Sequence, residues 1–323
     1  MLLTRFAAGT FTVALLLTGV GSASGQNYPI KPLRIVTAGA GGGNDFSARL
    51  VALGLGDSLG QSVIVENRDG AGGAIAADTV AKAHPDGYSL LLYGSNFYTL
   101  PMLRKLPYDV IKDFSPITAV GSTPNVLVVN SASTMMSVKD LIATAKAKPD
   151  SLNCTAGGVG GSNHLAAELF KSMAGVKFLV INYKSAGLAL TALIGNQAQL
   201  MFSTASAAAP HVKAGRLRAL GVTTAQPSLL APGMPTVAAS GLPGYEAVSV
   251  YGFFAPAKTP AAIVNRLNQE TVRYLNKSDV KEKLVGQGIE VIAGTPQQLT
   301  GIMKAEITRL GKVIKETGMR DPD

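Results

Sequence analysis

The residues of this chain best placed to do chemistry are hydrogen-bond donors at two glycine-rich turns. In RIVTAGAGGGNDFSARL, Arg34–Thr37 reads as the end of a buried strand, and Ala38–Gly43 carries no side chain larger than a methyl. Asn44 or Asp45 reads as the N-cap of a helix reaching Leu59, with Phe46, Arg49, Leu50 and Leu53 at helical spacing. In the second turn, Leu152–Thr155 reads as a strand that empties through AGGVGGS (Ala156–Ser162) into an amphipathic helix over Asn163–Ala174. Each strand, turn and helix start offers free backbone N–H groups and the positive end of a helix dipole, an anion site built from backbone. Further strand exits add hydroxyls, an amide and an amine: Ser95-Asn96, Tyr183-Lys184-Ser185 and Ser203-Thr204. A set rich in donors and poor in acids and bases suits recognition of a carboxylate.

Other chemistries fit less well. A dinucleotide fingerprint needs G-x-G-x-x-G, but counting from Gly39 the third glycine is Asn44, and from Gly158 it is Asn163. Glu66 could stand for the ribose-binding acid, yet Asp45 would repel a pyrophosphate, and no GK[ST] follows either turn. His164 lies two residues from Ser162, but no G-x-S-x-G elbow is present, and the spacing suits a helix-start hydrogen bonder better than a base. His84 precedes a Pro-Asp-Gly turn and reads as exposed, His211 has no acidic neighbour in sequence, and no metal-ligand cluster appears. Glycines serving only helix–strand packing are the plainest alternative for the turns.

The elements that must hold these turns alternate. Short apolar strands (Ser89–Tyr93, Val126–Val129, Phe178–Ile181, Leu200–Phe202, Leu217–Val222 and Ala247–Phe254) are interleaved with helices, and a final helix runs from about Pro296 to Glu316. Leu100–Phe114 and the proline-rich Pro227–Pro243 read as irregular. Such alternation predicts an α/β fold of parallel-rich sheets covered by helices on both faces. It falls into two blocks around Pro124, which predicts two lobes with a cleft: residues 26–124 and 247–323 in the first, 125–246 in the second. With 47% hydrophobic residues, the chain has material for two cores.

Arg5, the apolar Phe6–Val20 and the small Gly21–Gly25 read as a secretory signal peptide over residues 1–25, cleaved ahead of Gln26. The lone Cys154 reads as a buried structural thiol. The formal charge of +9 is scattered, without the aromatic-plus-basic stripe of a nucleic-acid binder.

Taken in order, YPIKPLRIV, AGGGND, VIVENRDGAGG, AHPDGYSLLLYGSN, LPYDVIKDFSPIT, PNVLVVN, GGSNHLAAELFKSMAGV, PHVKAGRLRALGVTT and YGFFAPAKTP closely resemble the tripartite tricarboxylate transporter (Bug-type) periplasmic receptors. The resemblance spans nearly the whole mature chain. It implies a two-lobed, Venus-flytrap periplasmic binding protein of type II with two hinge crossings. Such a protein is not an enzyme and uses no cofactor or metal; it is a monomer that carries a small organic acid to a membrane permease. A receptor presenting ligand to a sensor kinase is the alternative within binding; a secreted enzyme is the alternative outside it. By position, the resemblance implies first-lobe contacts from Ala40, Gly41, Gly42, Gly43, Asn44 and Asp45, joined by Ser95 and Asn96. Second-lobe contacts would come from Gly160, Gly161, Ser162 and Asn163, then Tyr183, Lys184 and Ser185, and finally Ser203 and Thr204. The first turn departs from the family: where many members carry a Pro-Phe pair and a Thr, Thr37–Gly43 is TAGAGGG and Asn44 takes the polar position.

Overall fold

A computed structural model describes residues 28–37, 39–40, 43–68, 70–157, 159–183 and 185–319. The expected signal peptide therefore lies outside the described residues. In chain order the elements are β1 (Leu33–Thr37), α1 (Gly43–Leu59), β2 (Val63–Asn67), α2 (Ala74–Ala81), β3 (Ser89–Tyr93), α3 (Asn96–Thr99) and β4 (Phe114–Asn130). Then follow α4 (Val138–Ala147), β5 (Asn153–Ala156), α5 (Ser162–Ala174), β6 (Leu179–Asn182), α6 (Ala186–Ile194), β7 (Leu200–Thr204), α7 (Ala205–Lys213) and β8 (Leu217–Val222). The chain closes with β9 (Val248–Pro256), α8 (Ala261–Leu275), α9 (Ser278–Gly286), β10 (Glu290–Val291) and α10 (Pro296–Thr317).

The strands run in the order β2-β1-β3-β9-β4-β7-β5-β6, with β10 and β8 both paired to β4. β1, β2 and β3 pair in parallel, as do β5 with β6 and β7, so the crossover helices cover both faces of each sheet. The central strand, β4, belongs to both sheets. Through Pro124 it pairs antiparallel with β9; from Asn125 onward it pairs with β7 and β8.

This strand corrects the sequence reading, which has it begin only at Val126. The sequence reading treats Leu100–Phe114 as irregular and assigns no element to residues 115–125, where Pro116 and Pro124 stand and cannot donate to a ladder. Here the pairing shifts register beside Pro116, and Pro124 falls where β4 changes partners, so neither missing N–H interrupts a regular ladder.

Both faces of each sheet are buried, which is why the strands read as continuous apolar runs. On one side of the first sheet, Ile35, Leu90, Leu92 and Phe253 pack against α1 and α8; on the other, Val36, Leu91, Phe97 and Phe254 pack with Leu299 and Met303 of α10. In the second sheet Leu127 and Val129 face a core holding Phe170, Phe202 and Tyr245, while Val126 and Val128 face α6 and α7. Cys154 is buried in the Leu127 core, and burial pushes its thiol pKa up, so it is an inert packing group.

α10 visits both halves. It starts under a capping box, in which Thr295 accepts from the Gln298 N–H and the Gln298 side chain accepts from the Thr295 N–H. Leu299 and Met303 join the first sheet's core, whereas Val313 joins the second's. Leu310 and Ile314 close a small cluster with Leu103, which follows α3, and Leu165 of α5.

Candidate functional site

Where β4 changes sheets, one side chain ties three segments together. Thr223, fully buried just past β8, accepts the Asn125 N–H at 2.8 Å; its hydroxyl lies 2.9 Å from the Asn125 carbonyl and 2.7 Å from that of Ala247. Its own N–H donates to the Asn125 carbonyl, and the Ala247 N–H donates to the Thr223 carbonyl. Both crossings between the lobes thus pass through one hydrogen-bonded knot.

Strand alternation sets what lines this crossing. Thr123 pairs with Ser249, Gly121 with Tyr251 and Asn125 with Thr204, so these residues share one face of the ribbon. The Thr123 hydroxyl donates to the Gly288 carbonyl and is also hydrogen-bonded to the Tyr251 phenol, whose pKa burial raises. α1 begins directly over that phenol: a Cβ on Gly43 would lie 2.2 Å from the Tyr251 hydroxyl oxygen. Asn44 Oδ1 points to the same place, beside Gly94, Ser249 and the Tyr251 ring.

The first glycine turn differs from expectation at its helix start. α1 begins at Gly43, so neither Asn44 nor Asp45 is an N-cap. The buried Asp45 carboxylate instead accepts from Asn67 Nδ2 at 2.8 Å and pairs with Arg49 at 3.0 Å, fixing the turn to the end of β2. Ala40 is exposed; Gly41 and Gly42 lie outside the described residues.

At the next exit, the Ser95 hydroxyl accepts the Val250 N–H at 2.8 Å and meets the Tyr98 hydroxyl at 2.8 Å, locking α3 to β9. Asn96 is half-buried beside it. Ser95, Asn96 and, from the start of α5, Ser162 line one cavity with Leu165, Val248 and Arg309. The Arg309 guanidinium pairs with Glu306 and donates to the Glu246 carbonyl; burial holds the Glu306 carboxyl pKa up, against the pull of that guanidinium.

The second glycine turn is stitched from within. Asn163 Oδ1 accepts the Gly157 N–H at 3.3 Å, and His164 Nδ1 accepts the Gly160 N–H at 3.2 Å. Gly160 has φ 73°, a conformation that favours glycine, and a Cβ there would sit 2.4 Å from Cδ1 of Leu103, which follows α3. Gly161 is the N-cap residue of α5 and leaves that helix start without a side-chain cap. Ser185 caps α6 by accepting the Leu188 N–H, and the half-buried Tyr183 donates its N–H to the Ala156 carbonyl; Lys184 lies outside the described residues. Ser203 is buried, and Thr204 stands at the start of α7 with no capping bond from its hydroxyl.

His164 is buried, with Glu168 3.9 Å from its Nε2 and Lys171 beyond. Burial lowers its pKa, Lys171 adds to this, and Glu168 opposes it. As an acceptor from Gly160 it is a neutral loop holder. Its protonation favours the unfolded chain, so its contribution to stability is present above the unfolded pKa of about 6.5 and is lost as pH falls below it. Thermal unfolding from pH 8 to 5 is expected to show a falling midpoint below about pH 6.5. His164→Gln, which keeps an acceptor but does not titrate, flattens that fall; an unchanged slope would exonerate His164.

Among the described residues no group of three or more His, Cys, Asp or Glu could hold a metal ion, and no helix is long and apolar enough to cross a membrane.

Residues 47–319 match the model of the tripartite tricarboxylate transporter family receptors. The chain belongs to this family. The match begins just past the first glycine turn. This receptor is 36% identical over 301 residues to protein BugT of Bordetella pertussis, covering 92% of each chain. It has the fold of an R. palustris protein solved with adipate (35% identity, TM-score 0.77, covering 91% of this chain and 99% of that one). MatC from Rhodopseudomonas palustris, with bound malate, aligns at 29% identity and TM-score 0.73, over 89% of this chain and all of that one. The receptor is thus a two-lobed α/β protein of the periplasmic solute-binding kind, not an enzyme.

The sequence reading passed over Thr123, Asn125, Ser249, Tyr251 and Arg309. The signal for four of them was available: polar residues at alternate positions in STPN and SVYG, inside otherwise apolar strands.

Proposed function

We propose that this receptor is exported through its N-terminal signal peptide and captures a small carboxylate between lobe 1 (residues 26–124 and 247–323) and lobe 2 (residues 125–246). It then delivers that ligand to a membrane permease of the tripartite tricarboxylate type. The observation that carries the reading is the family match together with the adipate and malate of the solved relatives. Ser95, Asn96 and Ser162 meet at the crossing around a small cavity with room for about one water. The carboxylate docks on N–H groups of the Gly41–Asn44 turn. The Gly160–Ser162 amides and the Ser203 and Thr204 hydroxyls then close on its far end, joined by contacts from Tyr183, Lys184 and Ser185. Asp45 serves this site by holding the turn, since its carboxylate is taken by Asn67 and Arg49.

Closure removes water, which strengthens each hydrogen bond, and the ligand selects the closed form because it touches both lobes only there. The permease reads that form.

Thermal unfolding of residues 26–323, refolded to strip carried ligand, tests the reading against panels of carboxylates, sugars, ATP and NAD. A carboxylate at about 100 times its Kd adds roughly 2.7 kcal/mol, a rise of several degrees. A rise with ATP or NAD alone would refute it.

A further inference from the structure

We infer that Asn125 is a specificity-determining residue, selecting carboxylates that carry a hydrogen-bond donor, such as a hydroxyl or ammonium group beside the carboxylate, over acids that only accept. The inference rests on the carboxylate-receptor reading above.

Asn125 is fully buried at the first position where β4 joins the second sheet. Its backbone is satisfied by Thr223, but neither Oδ1 nor Nδ2 of its side chain has a hydrogen-bond partner among the described residues. Buried polar side-chain atoms are overwhelmingly paired, and an unpaired one carries its full desolvation cost. A carboxamide in such a position is built for a partner that arrives later.

Its setting indicates that partner. Asn125 shares its ribbon face with Thr123 and, across the register, with Thr204; Ser249 and Tyr251 continue the same face. Beyond them Asn44 Oδ1 is also buried and has no hydrogen-bond partner among the described residues. The face therefore presents two unmet acceptors, Asn44 Oδ1 and Asn125 Oδ1, and one unmet donor group, Asn125 Nδ2. An ionised dicarboxylate can satisfy only Nδ2, because it has no proton to give. A 2-hydroxy or 2-amino acid can accept from Nδ2 through its carboxylate and donate to an amide oxygen through its substituent. A site built to bond a substituent discriminates strongly against the analogue lacking it, since its own polar groups are then left unpaired.

Calorimetric titration of the mature chain with matched pairs tests this: succinate against malate and aspartate, adipate against 2-hydroxyadipate, phenylacetate against mandelate. In at least one pair the donor-bearing acid is expected to bind about tenfold or more tightly. Asn125→Leu, close in volume and without polar atoms, is expected to shrink that preference below about threefold. Equal binding within every pair that binds, or a preference that survives in Asn125→Leu, overturns the inference while the carboxylate reading stands. If no acid of any pair binds, the carboxylate reading itself fails and takes the inference with it. The wild-type comparison decides the first point even where the variant folds poorly.

Discussion

Gly43→Ala is expected to lower carboxylate affinity at least a hundredfold while the chain stays folded. The new methyl would fall 2.2 Å from the Tyr251 hydroxyl oxygen and 2.9 Å from the ring carbon that bears it. The phenol cannot simply swing away, because it is buried and hydrogen-bonded to Thr123, whose hydroxyl is committed to Gly288. Either the ring or the start of α1 must move, and overpacking of this sort costs about 1–3 kcal/mol. The proposed anion-binding turn, Gly41–Asn44, includes this residue, so a shift of even one ångström misaligns its N–H groups. Tyr251→Phe in the same chain removes the closest atom of the clash and should restore much of the affinity. The single and double variants form a cycle whose coupling is read by titration calorimetry. Additive losses would mean that the first turn and Tyr251 do not act on one ligand.

The second large effect is expected at the crossing. Thr223→Val keeps the shape of the side chain but leaves the buried Asn125 N–H without its hydroxyl acceptor, and removes the hydroxyl bond to Asn125 or Ala247. A buried donor stripped of its partner costs about 1–3 kcal/mol, so the midpoint of thermal unfolding should fall by several degrees. Thr223→Ser retains the hydroxyl and should recover most of that loss. A valine variant that melts with the wild type would show that the knot contributes nothing to stability.

How far these features were legible depends on how local their causes are. Ser89–Tyr93, a run of five residues between turn signals, and the capped helix starting at Pro296 follow from neighbouring residues and stand where the sequence places them. The start of α1 does not, because Asp45 gives up capping for Asn67 and Arg49, one of them supplied by β2. The first twelve residues of β4, 114–125, were hidden for a similar reason. Prolines that mark a break in isolation are tolerated where the strand shifts register or changes partners. The glycine turns announced themselves by composition. The polar face of Thr123, Asn125, Ser249 and Tyr251 left only alternate polar positions in STPN and SVYG as a signal, and it becomes one face only once β9 returns, more than a hundred residues later, to lie beside β4.

β4 also bears on how the protein comes apart. It pairs with β9 and β10 in one sheet and lies between β7 and β8 in the other, so neither lobe keeps its framework without it. α10 repeats the dependence from outside, leaving Leu299 in one core and Val313 in the other. The two halves on either side of the crossing are therefore not autonomous folding units. Melting of either strips the other of strand pairing and of packed helix surface, which makes global unfolding one cooperative event. A proteolytic nick in β4 would accordingly be lethal to both halves, whereas the long connection between Pro227 and Pro243 is where the chain could be opened at least cost.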